Sequence, residues 1–376
     1  MKNKQAIVVG AGIVGLATAR ALSIKGFSVR VIDRSQQAVG ASVRNFGMIW
    51  PIGQPEGKLY HRAIRSRDVW KETCEAAGTW YETSGSLHLA YHPDEMQVLT
   101  ELEDAFLKQG RDVALLSKEN ILKKYDAVNP AGLIGGLYSA EEVIVDPGES
   151  IARLPSYLEE KYGVEFQWGK CVSQVTGHSV FIGTKEKYEA DVIFICSGPD
   201  METLYPHIFS GLPITKCKLQ MMRLAVQPAN WRIGTALCGG LSLIHYNSFK
   251  VAPSLNDLKF RYQNELSNYL DLGIHVMVSQ NGRGELTVGD SHEYGLTFDP
   301  FDKQFINKMI LDYLAKFTSF KDYSIIESWH GIYPKLTNGE TDIFIPAENN
   351  VYILNGLGGA GMTMSFGLAE EMVDTI

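Results

Sequence analysis

The sequence predicts an α/β fold (mixed α+β) in which a doubly wound parallel sheet is interleaved with a mixed, mainly antiparallel sheet. The first observation is an apolar strand at 6–9, followed by a helical segment at 13–25 and a second strand at 28–33, which together form a βαβ unit. The second is a region of short alternating strands from about 215 to 295. The third is the final block, 351–376, where strand, glycine-rich loop and helix follow one another.

The segments between these landmarks have the periodicity of single helices and strands. The expected helices are 59–77, 94–108, 150–162 and 301–317, and the expected strands are 85–90, 164–168 and 191–196. Asn281-Gly282 lies between two alternating runs, a pattern typical of a tight β-hairpin.

Composition excludes several classes of protein. The net charge of −8 makes nucleic acid a poor partner, because no basic surface would neutralise phosphates. The cysteines number five, an odd count, and none of them forms a C-x-x-C motif. We therefore expect neither a disulfide framework nor a structural metal site, and we expect a cytoplasmic location. The basic start Met1–Lys4 leads into an apolar run that glycines interrupt at once, so we expect a strand there, not a signal peptide. No apolar run approaches the roughly 18 residues of a membrane span.

Gly10-Ala11-Gly12-Ile13-Val14-Gly15 forms G-x-G-x-x-G between the first strand and the first helix. Gly10 permits the tight turn, Gly12 lets a pyrophosphate approach the backbone, and Gly15 lets helix and strand pack closely. The helix N-terminus offers N–H groups to phosphates. Asp33, at the end of the second strand, is placed to accept hydrogen bonds from ribose hydroxyls. The motif therefore predicts a dinucleotide site.

Two further segments favour FAD over NAD as the occupant. The turn 40–47 offers Ser42, Arg44 and Asn45 as donors to a pyrophosphate. A second glycine-rich turn, 355–363, precedes the last helix. Two such turns at opposite ends of the chain predict a long ligand held at both of its ends.

These motifs, in this order, resemble those of the D-amino-acid oxidase superfamily of flavoproteins, which includes glycine oxidase and sarcosine oxidase. The matching pieces are GAGIVG at 10–15 with Asp33-Arg34, GASVRNFG at 40–47, CSG at 196–198, WHG at 329–331 with Pro334, and GLGGAGMT at 356–363. The resemblance implies an FAD-dependent oxidoreductase acting on C–N bonds, by hydride transfer from the amine-bearing carbon to flavin N5. Oxygen or another electron acceptor would reoxidise the flavin.

The same resemblance implies the domains and the cofactor contacts. It predicts a discontinuous, Rossmann-type FAD-binding domain over 1–82, 141–214 and 325–376, and a substrate-binding domain over 83–140 and 215–324. The expected FAD-binding residues are Gly10, Gly12, Ile13, Val14, Gly15, Asp33, Arg34, Ala41, Ser42, Arg44, Asn45, Phe46, Gly47, Met48, Val172, Ser197, Gly198, Gly356, Gly358, Gly359, Ala360, Gly361, Met362 and Thr363. FAD is expected to be non-covalent, because no cysteine follows Cys238 and no histidine lies in 41–50.

The expected substrate anchors of this superfamily are absent. Tyr333 occupies the position at which amino-acid-oxidising members carry the arginine of W-x-G-x-R-P. Gly359 occupies the position at which glycine oxidase-like sequences can carry a second arginine. A substrate anion would need other donors. The candidates for the substrate cavity are Trp50, Arg223, His245, Tyr246, His292, His330, Tyr333 and Lys335, each of which has an ordinary structural role as its alternative.

Shorter strings, 42–55 and 289–295, resemble a subgroup linked to aminophosphonate catabolism. They imply oxidative deamination of a small-molecule amine like 2-aminoethylphosphonate. Three alternatives stay open: an oxidase of glycine or another small α-amino acid, a flavin monooxygenase that uses NAD(P)H, and a non-catalytic protein with a vestigial nucleotide fold.

Overall fold

The computed structural model describes residues 4–376, so Met1 to Asn3 of the basic start lie outside the described part. The strands are β1 Gln5–Val9, β2 Ser28–Asp33, β3 Met48–Ile49, β4 Tyr81–Glu82, β5 Ser86–Ala90, β6 Val113–Ser117, β7 Gly135–Ser139, β8 Val143–Val145, β9 Glu165–Trp168, β10 Val172–Thr176, β11 Ser179–Ile182, β12 Glu186–Glu189, β13 Val192–Ile195, β14 Ile214–Leu224, β15 Ala236–Cys238, β16 Met277–Gln280, β17 Leu286–Gly289, β18 Glu293–Gly295, β19 Ile325–Leu336, β20 Ile343–Glu348 and β21 Val351–Asn355. The helices are α1 Ile13–Ile24, α2 Lys58–Ala77, α3 Pro93–Lys108, α4 Lys118–Lys124, α5 Pro147–Tyr162, α6 Pro206–Phe209, α7 Leu255–Glu265, α8 Ser267–Asp271, α9 Gln304–Phe317 and α10 Gly361–Val373. Among residues 4–376, none of these helices combines the length and apolarity needed to span a bilayer.

A six-stranded sheet in the order β20-β21-β13-β1-β2-β9 forms the first layer. β21, β13, β1, β2 and β9 are parallel, and β20 is an antiparallel edge strand. One face packs on α1, α2, α5 and α10. The opposite face packs on the small antiparallel sheet β10-β11-β12 and on α6. The α/β prediction is confirmed, but a β-meander covers the face where a doubly wound sheet would carry helices.

A nine-stranded sheet forms the second layer, in the order β18-β14-β17-β16-β15-β5-β7-β6 with β19 paired along β14. All of its pairs are antiparallel except β15 with β5. The assignment of 325–336 to the FAD-binding domain is corrected here. β19 pairs along almost the whole of β14, from Ile214↔Leu336 to Leu224↔Ile325, and so belongs to the second sheet.

The region 215–295 departs from its expectation in two ways. β16 and β17 form the predicted hairpin, but their register pairs Gln280 with Leu286, so the connection is the longer loop 281–285. The Asn281 side chain accepts the N–H groups of Arg283 and Glu285, both at 3.0 Å, and shapes that loop. α7 and α8 were not predicted in this region, because their sequences are largely polar and carry weak apolar periodicity.

A third small sheet, β3-β8-β4, lies at the junction between the two layers. Glu142, beside β8, is fully buried there and accepts hydrogen bonds from the Ile52 N–H at 3.0 Å and the Ser86 hydroxyl at 2.9 Å. These bonds hold the turn 51–53 that follows Trp50. Burial raises the pKa of Glu142 from 4.5 to about 7.

This raised pKa predicts the effect of Glu142→Gln. A carboxyl group whose folded-state pKa lies above its unfolded value contributes stability below pH 4.5, and that stability is lost as pH rises through about 7. Glutamine keeps both hydrogen-bond partners and carries no charge. We therefore expect the variant to be more stable than the parent protein at pH 8, by up to about 3 kcal/mol, and similar at pH 4.5.

Thermal unfolding followed across this pH range measures the difference. Glu160→Gln, on the exposed surface of α5, is the control and should leave the pH profile unchanged. A parent protein whose stability does not fall, relative to Glu142→Gln, between pH 4.5 and pH 8 would show that Glu142 is ionised in the fold.

Candidate active site

A cavity of about 550 Å³ runs between the two layers and joins the glycine-rich turns from the two ends of the chain. On the six-stranded side it is lined by the turn after β1, the end of β2 and the loop before α10. On the nine-stranded side it is lined by residues of β14, β16 and β19. Carboxyl ends of parallel strands meet at one edge of a sheet, which is why the motifs converge here.

The turn after β1 has no room for side chains. Gly10 has φ +105°, and a Cβ atom there would lie 2.3 Å from the Cys196 carbonyl oxygen. A Cβ on Gly15 would lie 1.9 Å from the carbonyl oxygen of Gly10. α1 therefore begins directly against β1 and β13, with its N-terminus at the cavity.

Polar side chains hold this turn in place. Asp33 accepts the Ala11 N–H at 2.7 Å through Oδ2 and the Ser35 N–H at 2.8 Å through Oδ1. Ser42 Oγ accepts the Ile13 N–H at 2.9 Å. The Ser42 hydroxyl hydrogen keeps its freedom to donate into the cavity, because Oγ uses only a lone pair in that bond.

The turn 40–47 is organised by Asn45. Its side chain donates to the carbonyl oxygens of Ala41 and Ser42, at 3.0 and 2.9 Å, and accepts the Gly47 N–H at 2.8 Å. Arg44 donates to the His330 carbonyl oxygen at 3.1 Å. Asn45 is thus committed to the backbone of its own turn, and the donor role predicted for its side chain is not the one that the structure gives it.

The C-terminal turn repeats the arrangement of the first. Gly356 and Gly358 have φ of +78° and +56°, and α10 begins at Gly361 with its N-terminus at the cavity. Thr363 Oγ1 accepts the Trp50 N–H at 3.0 Å. The Trp50 indole N–H is buried without a partner among residues 4–376, and it lies at the cavity wall.

Of the predicted FAD-binding residues, all but Gly15 and Gly47 line this cavity. Both exceptions serve close backbone packing: a Cβ on Gly47, which has φ +73°, would lie 2.0 Å from the Val145 carbonyl oxygen. The other predicted FAD-binding residues lie on short turns and at the ends of strands. These residues fit a long dinucleotide, because two helix N-termini and glycine backbones face one continuous cavity.

The structure separates the substrate candidates into two groups. Trp50, His245, Tyr246, His292, Tyr333 and Lys335 line the cavity. Arg223 and His330 do not, and their prediction is corrected. Arg223 is paired with Glu327 at 3.0 Å, its cross-strand neighbour on β19. His330 Nδ1 lies 2.7 Å from Asp302 Oδ1, beside a separate surface cleft.

Two cavity residues, His275 and Asp290, were missed by sequence reasoning. Their backbones exchange hydrogen bonds, His275 N–H to Asp290 O at 3.3 Å and the reverse at 2.9 Å, which extends the β16–β17 hairpin beyond its strands. The register of the strands, Met277↔Gly289, would set His275 opposite Ser291, so this pairing is shifted by one residue and does not follow from the predicted hairpin.

His245, His275 and His292, which we name the imidazole cluster, pack together in the cavity wall. Ring centroids lie 3.7 Å apart for His245 and His275, 5.2 Å for His245 and His292, and 5.3 Å for His275 and His292. Burial lowers the pKa of His292 to about 4 and that of His275 well below its ordinary value. Burial also raises the pKa of Asp290 well above its ordinary value. The buried imidazoles are therefore uncharged near neutral pH, and burial disfavours the charged form of Asp290 as well.

Comparison with known proteins identifies the family to which this site belongs. Residues 5–375 match the family model described as DAO, FAD dependent oxidoreductase. The chain is 26% identical over 236 residues to the bifunctional protein ThiO/ThiG of Nostoc sp., covering 60% of this chain and 34% of that protein. It is 25% identical over 249 residues to the D-amino acid dehydrogenase of Helicobacter pylori, covering 52% of this chain and 60% of that protein.

The alignments thus span less than two thirds of these curated relatives. The structural similarity to solved proteins extends over nearly the whole chain. The crystal structure of glycine oxidase from Bacillus cereus superposes with a TM-score of 0.77 at 15% identity, covering 99% of this chain and 94% of that chain. At that level of identity the superposition speaks for the fold alone.

The geometry at Gly10 predicts that Gly10→Ala disrupts both the fold and the cofactor site. Alanine would be strained at φ +105° and would clash with the Cys196 carbonyl oxygen, so we expect a loss of about 3 kcal/mol or more in the free energy of unfolding. Chemical denaturation and the flavin content of the purified variant measure the two effects.

Gly211→Ala is the matched control, since its Cβ would meet its nearest atom, the Ile208 carbonyl oxygen, at an ordinary 3.5 Å. A Gly10→Ala protein with the stability and flavin content of Gly211→Ala would contradict the role given to Gly10.

Proposed function

Because the chain belongs to the DAO family of FAD-dependent oxidoreductases, we propose that it oxidises the C–N bond of a small amine that carries an anionic head group. A 2-aminoethylphosphonate-like aminophosphonate is the substrate class that we favour. The observation that carries the proposal is the set of charges at the cavity: the expected arginines are missing, and Lys335 is present with no acidic partner.

The two missing arginines leave no carboxylate clamp. Burial raises the pKa of Tyr333 well above its ordinary value, so the phenol is neutral and offers a hydrogen bond without charge. A Cβ on Gly359 would lie 3.3 Å from Tyr333 Oη, so the tyrosine fills the space beside this turn. Bidentate arginine is the usual device for holding a carboxylate, and its absence argues against a plain α-amino acid.

Lys335 supplies the positive charge instead. It lies two residues beyond Tyr333 on β19 and therefore on the same face of the strand. Its Nζ donates to Tyr294 Oη at 3.1 Å, and no carboxylate of the described residues pairs with it. A cavity with an uncommitted ammonium group favours an anionic ligand.

The remaining residues orient and enclose the substrate. Trp50 and Tyr246 form an aromatic wall, with ring centroids 6.3 Å apart, that excludes water from the amine-bearing carbon. The N-terminus of α10 faces the same cavity and stabilises negative charge there. Bound FAD supplies the redox chemistry, accepting two electrons from the substrate carbon.

The proposal predicts the result of anaerobic mixing of the yellow holoprotein with a panel of compounds. 2-Aminoethylphosphonate and its 1-hydroxy derivative should bleach the flavin absorbance, and glycine, sarcosine and D-amino acids should do so far more slowly. Lys335→Met should raise the substrate concentration needed for half-maximal bleaching by about tenfold or more, because it removes a charge-assisted contact. His61→Gln, on the exposed face of α2, is the control.

Other outcomes decide between the alternatives. Bleaching by α-amino acids alone contradicts the aminophosphonate class and leaves amine oxidation standing. Bleaching by glycerol phosphate or NADPH, and by no amine, contradicts C–N oxidation itself.

A second prediction concerns the attachment of the cofactor. Two cysteines line the cavity. Cys196 is buried, and burial raises the pKa of its thiol to about 12, which makes it a poor nucleophile. Cys171 is exposed, but it follows Lys170, whose N–H donates to the Asp33 carbonyl oxygen at the end of the cavity proposed for the ribose. We therefore propose non-covalent FAD. Acid precipitation should leave a colourless pellet and a yellow supernatant, whereas a yellow pellet would show a covalent bond.

A further inference from the structure

The imidazole cluster has hydrogen-bonding capacity that the protein does not use. His292 Nδ1 lies 2.9 Å from the Gly273 carbonyl oxygen, to which it donates, so Nε2 is left toward the cavity side. His275 Nδ1 is buried with no partner among the described residues. Buried polar atoms without partners are uncommon in folded proteins, so the cluster is incomplete without a ligand.

The one acid beside the cluster does not satisfy it. His275 Nε2 and Asp290 Oδ1 lie 3.1 Å apart, but Oδ1 makes no hydrogen bond of acceptable geometry. The distance from His292 Nε2 to Asp290 Oδ2 is 3.8 Å, which is too long for a hydrogen bond. Burial raises the pKa of Asp290 well above its ordinary value, which disfavours the charged form that would repel an anion.

The positive charge nearest to the cluster is Lys335, on the same cavity wall. Its field lowers the pKa values of both His275 and His292, which places the ammonium group within electrostatic range of the rings. The titratable groups that face the cluster from the surrounding elements are Asp290, Lys335, Tyr246, Tyr294, Tyr333 and Cys217. Among these groups Lys335 is the one basic side chain.

The cluster has the residue types of a metal site, and its ligand nitrogens lie within 4.8 Å of one another. Three features weigh against a metal ion. His245 and His275 face each other ring to ring at 3.7 Å, whereas two imidazoles on one ion point their nitrogens at it from separate directions. Lys335 would repel a cation, and burial disfavours the carboxylate form of Asp290 that a metal ion needs.

We propose that His245, His275, His292 and Lys335 form the subsite for the substrate's anionic head, and that they bind a tetrahedral oxyanion together with a proton. This inference rests on the proposed function. The empty cluster is neutral, so it avoids the cost of buried charge. An arriving dianion makes an imidazolium favourable, and the proton is taken from solvent onto an imidazole nitrogen. A phosphonate presents three oxygens to the donors, where a carboxylate presents only two.

The test uses the FAD-loaded protein and anions that cannot be oxidised, with binding read from the perturbation of the flavin spectrum. Sulfate stays dianionic over the range used, so any pH dependence comes from the protein. We expect its Kd to rise by about tenfold per pH unit between about pH 6 and about pH 8, as one proton is bound with each anion. Methylphosphonate should bind at least about tenfold more tightly than acetate.

The variants separate the roles. His275→Gln and His292→Gln should weaken sulfate binding and flatten its pH dependence. Lys335→Met should weaken binding, because it removes the one positive charge on the cavity wall beside the cluster. His61→Gln should behave as the parent protein. Flavin content confirms that each variant is folded, and the pH slope of the parent protein is informative without any variant.

Several results would overturn the subsite. They are a flat pH dependence in the parent protein, acetate binding as tightly as methylphosphonate, and about one divalent metal ion per chain whose removal by a chelator abolishes anion binding. If 2-aminoethylphosphonate bleaches the flavin while sulfate binding ignores the histidine variants, the subsite fails and the proposed function stands. If sulfate binds as expected and no amine bleaches the flavin, the proposed function fails and the subsite stands.

Discussion

The close approach of α1 to β1 is the constraint on which the rest of the structure depends. Gly10 and Gly15 bring the backbones so near that no Cβ fits at either position. This places the N-terminus of α1 at the cavity, and α10 then packs along α1. α10 is fixed in turn against α2, where a Cβ on Gly367 would lie 2.6 Å from the Arg62 carbonyl oxygen. Buried Arg62 also pairs with Asp342 and Glu371, at 2.6 and 2.8 Å. The two ends of the chain therefore meet by backbone packing.

This origin explains why the nucleotide side of the site was predictable. A near-contact between backbones admits only glycine, and a φ such as the +105° of Gly10 strongly favours it. The identity and spacing of the glycines therefore indicate this geometry directly. The positions of Asp33 and Ser42 at the cavity were predictable as well, because both residues lie in or beside these turns. Asn45 shows the limit of such inference. An asparagine side chain can donate a hydrogen bond to a ligand, which was the prediction. In a tight turn it can also bond to the nearby backbone, and the Asn45 side chain does so in this structure.

The substrate side depends on pairing between distant strands, which the sequence does not encode locally. Arg223 has the charge of an anion anchor, but the register of β14 with β19 sets it opposite Glu327. His275 and Asp290 reach the cavity only because they face each other across the extended hairpin. The assignment of β19 to the FAD-binding domain failed for the same reason. Its partner, β14, lies about a hundred residues away along the chain, and the local sequence pattern of a strand does not indicate which distant strand it pairs with.

The charge of the cavity can be argued from the cost of burial. A permanent pair of arginines would hold two charges in a region of low dielectric whether or not a substrate was bound, at a cost of several kcal/mol each without a partner. Neutral imidazoles avoid that cost, since they gain charge only when an anion is present to offset it. Lys335 is half-buried near the end of β19, and it limits its own cost by packing against the Tyr294 ring and donating to the Tyr294 hydroxyl. In this proposal the substrate head would be bound by groups other than the glycine-rich turns proposed to hold the cofactor's phosphates.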